Sequence, residues 1–464
     1  MEAKAKKGRM GYDLTEGSIL RGLLVFAVPI ILTNLIQQLY SLVDLIVIGQ
    51  FMGNIGTVGV STGGEISDML TPIATAFATA GQIYIAQRAG AKNEEKMRSA
   101  IGTTITSMML LSLIFTFGTL IFYRQILELL NCPEEAFGQA TAYMIITCAG
   151  MPFIFGYNAI CGVLRGLGES KAPMWFICIA AVSNILLDLL LVAVFDLQAA
   201  GTAIATVAAQ LASFLASAAY MVRHKDELGL ELKLSTFKMD KDDLKVILAQ
   251  AIPQALRSTL VRFGMLWVNA NVNAYGMIAS GTNNVGNKLQ KFLDVGSNSL
   301  AQASSSMVGQ NLGAKKPERA KKTVLYAFYS SLVVAAVISL VCAVFPKPVF
   351  RIFTTDVDVL EMGVIYLRIM VFQFLLSALT SSFQSMVIGS GNASLNFVIG
   401  ILDGLVCKIG LSVLFAWGLG LEAIGFFWGT ALSRAIPGVI CVAYFASGKW
   451  RTRRLLGEKA PKRS

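Results

Sequence analysis

Twelve apolar runs, each long enough to cross a bilayer and each closed by a short polar turn, constrain this chain more than any other feature. They lie near residues 20–48, 58–86, 99–122, 137–160, 172–195, 199–222, 244–275, 277–307, 323–346, 361–388, 395–417 and 420–446. A spanning helix needs about 20 predominantly apolar residues, and only helices or closed barrels satisfy the backbone inside lipid. The balance of residues agrees, with 55% hydrophobic, 14% charged and a mean hydropathy of +0.63. A soluble domain carries about 25% charged residues. The expected fold is an all-α polytopic membrane protein. The eighth run is the weakest, because SGTNNVGNKLQKFLDVGSNSLAQASSSMVGQ would fail a plain hydropathy window.

Several functions drop out early. The single histidine, His224, leaves no histidine metal site and no Ser/His/Asp arrangement, so the chain is not expected to be an enzyme. A membrane-embedded transferase ranks last for the same reason, with no nucleophile and base pair in view. Seven cysteines show no C-x-x-C pair and read as small buried hydrophobes. The polar start, MEAKAKKGRMGYDLTEGS, leads into a first run without a small-residue cleavage site, so that helix is expected to be retained.

Basic residues divide sharply between alternate connections. One side holds 29 Lys and Arg, including Lys4, Lys6, Lys7 and Arg9, the Arg88–Arg98 group, the 223–245 segment, the Lys315–Lys322 group and the tail after Ser447. The other holds Arg124, Lys347 and Arg351. This is the positive-inside pattern, and it places both termini in the cytoplasm of a multi-pass protein of the cell (inner) membrane. The formal charge of +11 follows from it without nucleic acid as a partner.

The chain repeats itself. AQRAGAKNEEKMRSAI (86–101) lies over GQNLGAKKPERAKKTV (309–324) at an offset of 223, and Pro29 with Pro253, Gly166 with Gly389 and Gly201 with Gly425 fall near the same offset. Six runs per copy is an even number, so the copies point the same way. Two six-helix lobes related by a pseudo-two-fold axis along the membrane normal are expected. The expected organisation is a first lobe over 1–222, a cytoplasmic linker over 223–243, a second lobe over 244–447 and a basic cytoplasmic tail over 448–464.

The stretches LYSLVDLIVIG (39–49), GQIYIAQRAGAKN (81–93), GVLRGLGESKAP (162–173), SNILLDLLLV (183–192), AAGTAIATV (199–207) and VGQNLGAKK, taken with Pro29, carry a resemblance. In that order they resemble the multidrug and toxic compound extrusion (MATE) transporters over nearly the whole chain, and most of all the branch named after the DNA-damage-inducible protein F. The resemblance implies a two-lobed twelve-helix antiporter exporting organic compounds against a proton or sodium gradient. It also implies a cation site in the first lobe at the positions of Asp44, Asn184, Asp188 and Thr206.

The residues point to the first lobe on their own. A carboxylate at the centre of a spanning helix costs about 2.5 to 3.5 kcal/mol even on lenient scales, so Asp44 and Asp188 are expected to face a cavity and to act there. Gln37, Ser41 and Asp44 share one helix face with Tyr40 beside it; Asn184 and Asp188 stand one turn apart, and Thr206 can face them. Such oxygens suit a proton or a sodium ion, with no other cofactor. Alternatively Asp44 is solvated near an outer end and Asp188 pairs with a base, although the first six runs hold no Lys or Arg deep in an apolar stretch. A buried carboxyl without a cation disfavours its charged form, which permits proton uptake and release. Pro29 is the expected bend.

The second lobe reads differently. Arg257, Arg262, Asn269, Asn271, Asn273, Asn283, Asn287, Gln290, Asp294 and Asn298 form a polar stripe with Lys288 and Lys291 beside it, and Arg368, Asp403 and Lys408 add charge. Either this is an electropositive substrate wall or a satisfied network in which Asp294 and Asp403 neutralise nearby bases. Arg165, Lys171 and Arg434 are expected at inner ends, and Glu65, Asp68, Glu361 and Glu422 in water. Candidates for the substrate cavity are Gln37, Tyr40, Ser41, Asn158, Arg262, Asn287 and Asp294. The expected partners are a small-molecule substrate and the lipid bilayer, with the chain a monomer. The alternative function is a flippase for a lipid-linked or anionic headgroup.

Overall fold

A computed structural model describes residues 12–227 and 237–458. Lys4, Lys6, Lys7 and Arg9, Lys233, and Lys459, Lys462 and Arg463 therefore lie outside the described residues. Among those described there are helices and turns and no strand.

The twelve expected runs all become rods. In the first half these are α1 (Ile19–Phe51), α2 (Gly53–Gly90), α3 (Glu94–Leu129), α4 (Glu134–Ala149) with α5 (Met151–Gly166), α6 (Lys171–Asp188) continued by a π turn over Leu189–Val194, and α7 (Gln198–Arg223). The second half holds α8 (Lys241–Asn273), α9 (Met277–Gly313), α10 (Pro317–Val344), a short α11 (Pro346–Arg351) and α12 (Val357–Gly389). The eleventh rod is α13 (Ala393–Ile401), a π turn over Leu402–Cys407, α14 (Lys408–Val413) and a second π turn over Leu414–Gly418; the twelfth is α15 (Glu422–Leu432) with α16 (Ala435–Ser447). Among the described residues nine rods are long and apolar enough to span a membrane by composition, and α4 with α5, bent by 42°, makes a tenth. The two that miss this threshold are α8 and α9, and α9 is nonetheless an unbroken helix of 37 residues. Its polar stripe lowers the hydropathy without interrupting the backbone hydrogen bonds.

The duplication reaches into backbone detail. In both copies of the repeated motif a lysine in the left-handed region ends the second rod, Lys92 at φ 55° and Lys315 at φ 56°. Phe195 N–H bonds to Leu190 O at 3.0 Å and Leu419 N–H to Leu414 O at 2.9 Å, the five-residue spacing of a π turn at matching places. A Cβ on Gly166 would stand 2.7 Å from Gln82 O, and one on Gly389 2.7 Å from Ser305 O, the same helix crossing in each copy.

The chain divides into two compact units, residues 1–13 with 28–251, and residues 14–27 with 252–464. These boundaries differ from the expected lobes of 1–222 and 244–447. Leu14–Ala27 belongs with the second unit because side chains hold its carbonyls. Asn311 Nδ2 donates to Leu14 O at 3.1 Å, Lys316 Nζ to Thr15 O at 2.9 Å, and Arg319 to Glu16 O at 2.6 Å and Gly17 O at 2.8 Å. In the first unit Tyr84 Oη donates to Asp243 Oδ1 at 2.5 Å, Ser99 Oγ to its other oxygen, and Thr106 Oγ1 to Phe237 O at 2.7 Å. The described end of the 223–243 segment is thus packed onto α2 and α3, and Asp243 is buried. In each unit the clamp comes from the end of its second rod and the start of its third, where the duplicated motif lies.

Each unit has its own apolar interior. Val47, Ile48, Val60, Val192 and Ala199 pack together in the first, and Phe350, Tyr366, Phe374, Phe426 and Phe427 in the second. All seven cysteines are free, five of them buried, which fits their reading as small hydrophobes.

Candidate functional site

The buried stripe of α6 runs through Ile177, Ala180, Ala181, Asn184 and Asp188, steps of three and four that place the amide and the carboxyl on the inward face. Asp188 is only 1% exposed, and neither of its carboxyl oxygens has a hydrogen-bond partner; the Asn184 Oδ1 is likewise buried without one. Asp44 of α1 is half-buried, with its Oδ1 also unpartnered. The two carboxyls lie within electrostatic range of each other, and no hydrogen bond joins them or ties Asn184 to Asp188 among the described residues. No Lys or Arg forms an ion pair with either acid among the described residues. Two carboxylates this close are not both comfortable as anions, so the pair favours holding one proton or one cation.

The neighbours of this pair separate the expected residues. Tyr40 stands within electrostatic range of Asp44. Tyr143 of α4, which sequence reasoning did not single out, lies within range of Asp44, Asp188, Asp68 and Tyr40 and packs on the Val47–Val192 cluster. A tyrosine hydroxyl inside the apolar run 137–160 was the available signal. Ser41 donates to Gln37 O at 2.9 Å and Asn158 Nδ2 to Ile154 O at 2.8 Å, so both spend a donor on their own helix. Thr206 is half-buried on α7, which packs against α6, but no hydrogen bond joins it to the carboxyls among the described residues. Pro29 sits inside an unbroken α1, and Thr33 Oγ1 donates to the Pro29 carbonyl at 2.8 Å. Among the described residues no group of three or more His, Cys, Asp or Glu could hold a metal ion; two acids and an amide suit a proton or a sodium ion instead.

Part of the second-unit stripe is satisfied internally. Asn269 Oδ1 accepts from Asn283 at 2.8 Å and Asn287 at 3.1 Å, and Ser381 donates to Asn298 at 3.2 Å. Arg262 is half-buried on α8. Arg434 is no inner-end residue: it stands at the junction of α15 and α16, midway along the rod, with Nη1 3.5 Å from Asp294 Oδ2 and Nε 4.0 Å from Asp403 Oδ2. Its Nη1 also meets Ser377 Oγ, and its carbonyl accepts from Thr380 Oγ1 at 3.1 Å. Positional counting along the rod was the missed signal, since residue 434 lies at the centre of 420–446.

Duplicated sets of spanning helices, with ionisable side chains buried inside each, are the architecture of a multi-pass membrane transporter. A family model described as MatE matches residues 29–190 and 253–414, and the chain belongs to that family. It is 27% identical over 433 residues, 92% of this chain and 94% of the other, to the probable multidrug resistance protein YoeA of Bacillus subtilis (strain 168). It is 28% identical over 450 residues, 97% and 99% of the two chains, to the probable multidrug resistance protein YpnP of the same organism. Its fold is similar to a crystal structure of MATE in the bent conformation, with a TM-score of 0.89 at 20% identity, covering 95% of this chain and 98% of that one.

Proposed function

We propose that this transporter is an efflux antiporter that exports organic compounds in exchange for protons or sodium ions by alternating access, with Asp44, Asp188, Asn184 and Thr206 as the coupling site. The observation that carries the reading is the pair of neighbouring carboxyls, Asp44 and Asp188, inside a spanning unit and with no Lys or Arg ion-paired to either among the described residues. The names of YoeA and YpnP as probable multidrug resistance proteins support export of foreign compounds. Loading one cation on the pair then competes with holding substrate in the first lobe, and Pro29 allows α1 to bend because it leaves the Val25 carbonyl without its helical donor. One charge crossing about 100 mV is worth roughly 2.3 kcal/mol, a several-tenfold substrate gradient per ion. Cavity-lining roles for Gln37, Tyr40, Ser41, Asn158, Arg262, Asn287 and Asp294 belong to the same reading. So do a monomer, two six-helix lobes, and a cell (inner) membrane location with both termini cytoplasmic.

The test is transport in proteoliposomes with a pH gradient and a sodium gradient imposed separately. One of the two should drive dye export, and Asp188→Asn or Asp44→Asn should each lower that coupled rate at least tenfold. Unchanged coupled export in both variants would remove the assignment. A flippase for a lipid-linked or anionic headgroup is the second reading, favoured by the basic side chains of the second unit; export of a soluble dye from lipid-free solution counts against it.

A further inference from the structure

The charged cluster inside the second unit does not balance. Arg434 meets Asp294 and Asp403, while Ser433 Oγ donates to Asp403 Oδ1 at 3.3 Å, so this triad of one base and two acids is held from α9, the π turn, α12 and the α15–α16 junction. Two further bases stand within electrostatic range of it. Lys408 follows the Leu402–Cys407 π turn, whose five-residue spacing stacks it one turn beyond Asp403. It is half-buried, and among the described residues it has neither a hydrogen bond nor an ion pair within 4.0 Å. Arg257 of α8 makes one long bond, from Nη2 to Gln384 Oε1 at 3.4 Å, and its Nε is buried without a partner. Three cations against two anions leave one positive charge uncompensated. Bases at the depth of spanning helices are costly unless they have a function or a partner. Meanwhile Asp44 and Asp188 of the first unit form no ion pair with a Lys or Arg among the described residues, so the two intramembrane clusters differ in the sign of their uncompensated charge.

We infer that Lys408 and Arg257, oriented around the Arg434 triad, form a binding site for an anionic group, a carboxylate or phosphate, on the transported molecule. The exported class then includes organic anions and zwitterions, and not cations alone. The inference rests on the transporter reading, but it is independent of which ion couples. Arg434 is a positioning residue, already occupied by its acids. Lys408 supplies a point charge with three free donors, and Arg257 supplies its unused N–H groups.

The test is equilibrium binding of two dyes with the same xanthene core and opposite charge, carboxyfluorescein and rhodamine 123, to the purified full-length protein in detergent, read by fluorescence anisotropy. Without a gradient, its failure is separate from any failure of the Asp44–Asp188 coupling test. Lys408→Gln and Arg257→Gln should each weaken carboxyfluorescein about tenfold while changing rhodamine 123 less than twofold. Lys408→Arg should keep most of the anion affinity and guards against loss through misfolding. No carboxyfluorescein binding by the unaltered protein, or equal weakening of both dyes in the Gln variants, overturns the inference. Addition of phosphatidylglycerol distinguishes the source of the anion: dye retained against this lipid supports a soluble substrate, and displacement by the lipid but by no soluble organic anion overturns the exported-anion reading in favour of a headgroup.

Discussion

At the scale of single residues the two units solve the problem of buried charge in opposite ways. Asp188 is left with both oxygens unpaired beside Asp44, an arrangement suited to changing its occupancy. Asp294 and Asp403 share Arg434, an arrangement suited to staying put. Removing one partner of a buried ion pair leaves the other charge uncompensated, at a cost of about 3 to 5 kcal/mol. Arg434 retains 21% side-chain exposure, which places its loss toward the lower end. Arg434→Ala is therefore expected to lower the thermal unfolding midpoint in detergent strongly, while the double change Asp294→Asn with Asp403→Asn in the same background recovers part of it. No recovery in the triple variant would show that the ion pairs are not what Arg434 contributes.

Helices meet closely at two equivalent crossings, α2 with α5 and α9 with α12. At each, a glycine lets one backbone lie against a carbonyl of the other, Gly166 against Gln82 and Gly389 against Ser305. At both crossings the obstruction includes backbone, which cannot swing aside, so an added methyl forces the helices apart. Overpacking of this kind costs roughly 1 to 3 kcal/mol. Gly166→Ala and Gly389→Ala are each expected to lower thermal stability by a similar amount, and Gly118→Ala, where a Cβ meets nothing within 4 Å, serves as the control. Equal stability for all three would show that the crossings are loose. At the same scale the clamps differ in chemistry: Arg319, Lys316 and Asn311 hold bare carbonyls, whereas Tyr84 and Ser99 hold the carboxylate of Asp243. Matching positions in a duplicated chain need only conserve the docking, not the atoms that achieve it.

For the whole molecule, the uneven distribution of Lys and Arg predicts which connections face outward, and Cys132 offers a probe. It lies in the turn between α3 and α4, on the side expected to be outside, and is only half-buried. Burial pushes its thiol above the ordinary range, so less thiolate, the reactive form, is present at neutral pH. A membrane-impermeant maleimide added to intact cells is expected to label Cys132 slowly at pH 7 and faster as pH rises toward 9, with Cys132→Ser losing the signal. Labelling that appears only after permeabilisation would reverse the orientation.

Number and length of the rods, their duplication and the two isolated acids could be read from residue order, because hydropathy and helix periodicity are properties of a residue and its near neighbours along the chain. Even the polar eighth rod was recoverable from its more apolar copy. Three features were not: the pairing of Arg434 with acids 140 and 31 residues away in sequence, the placement of Tyr143 beside Asp44, and the assignment of Leu14–Ala27 to the unit that does not contain the rest of α1. Each depends on which distant surfaces come into contact, and contact energies in a packed bundle are summed over partners that linear order does not name.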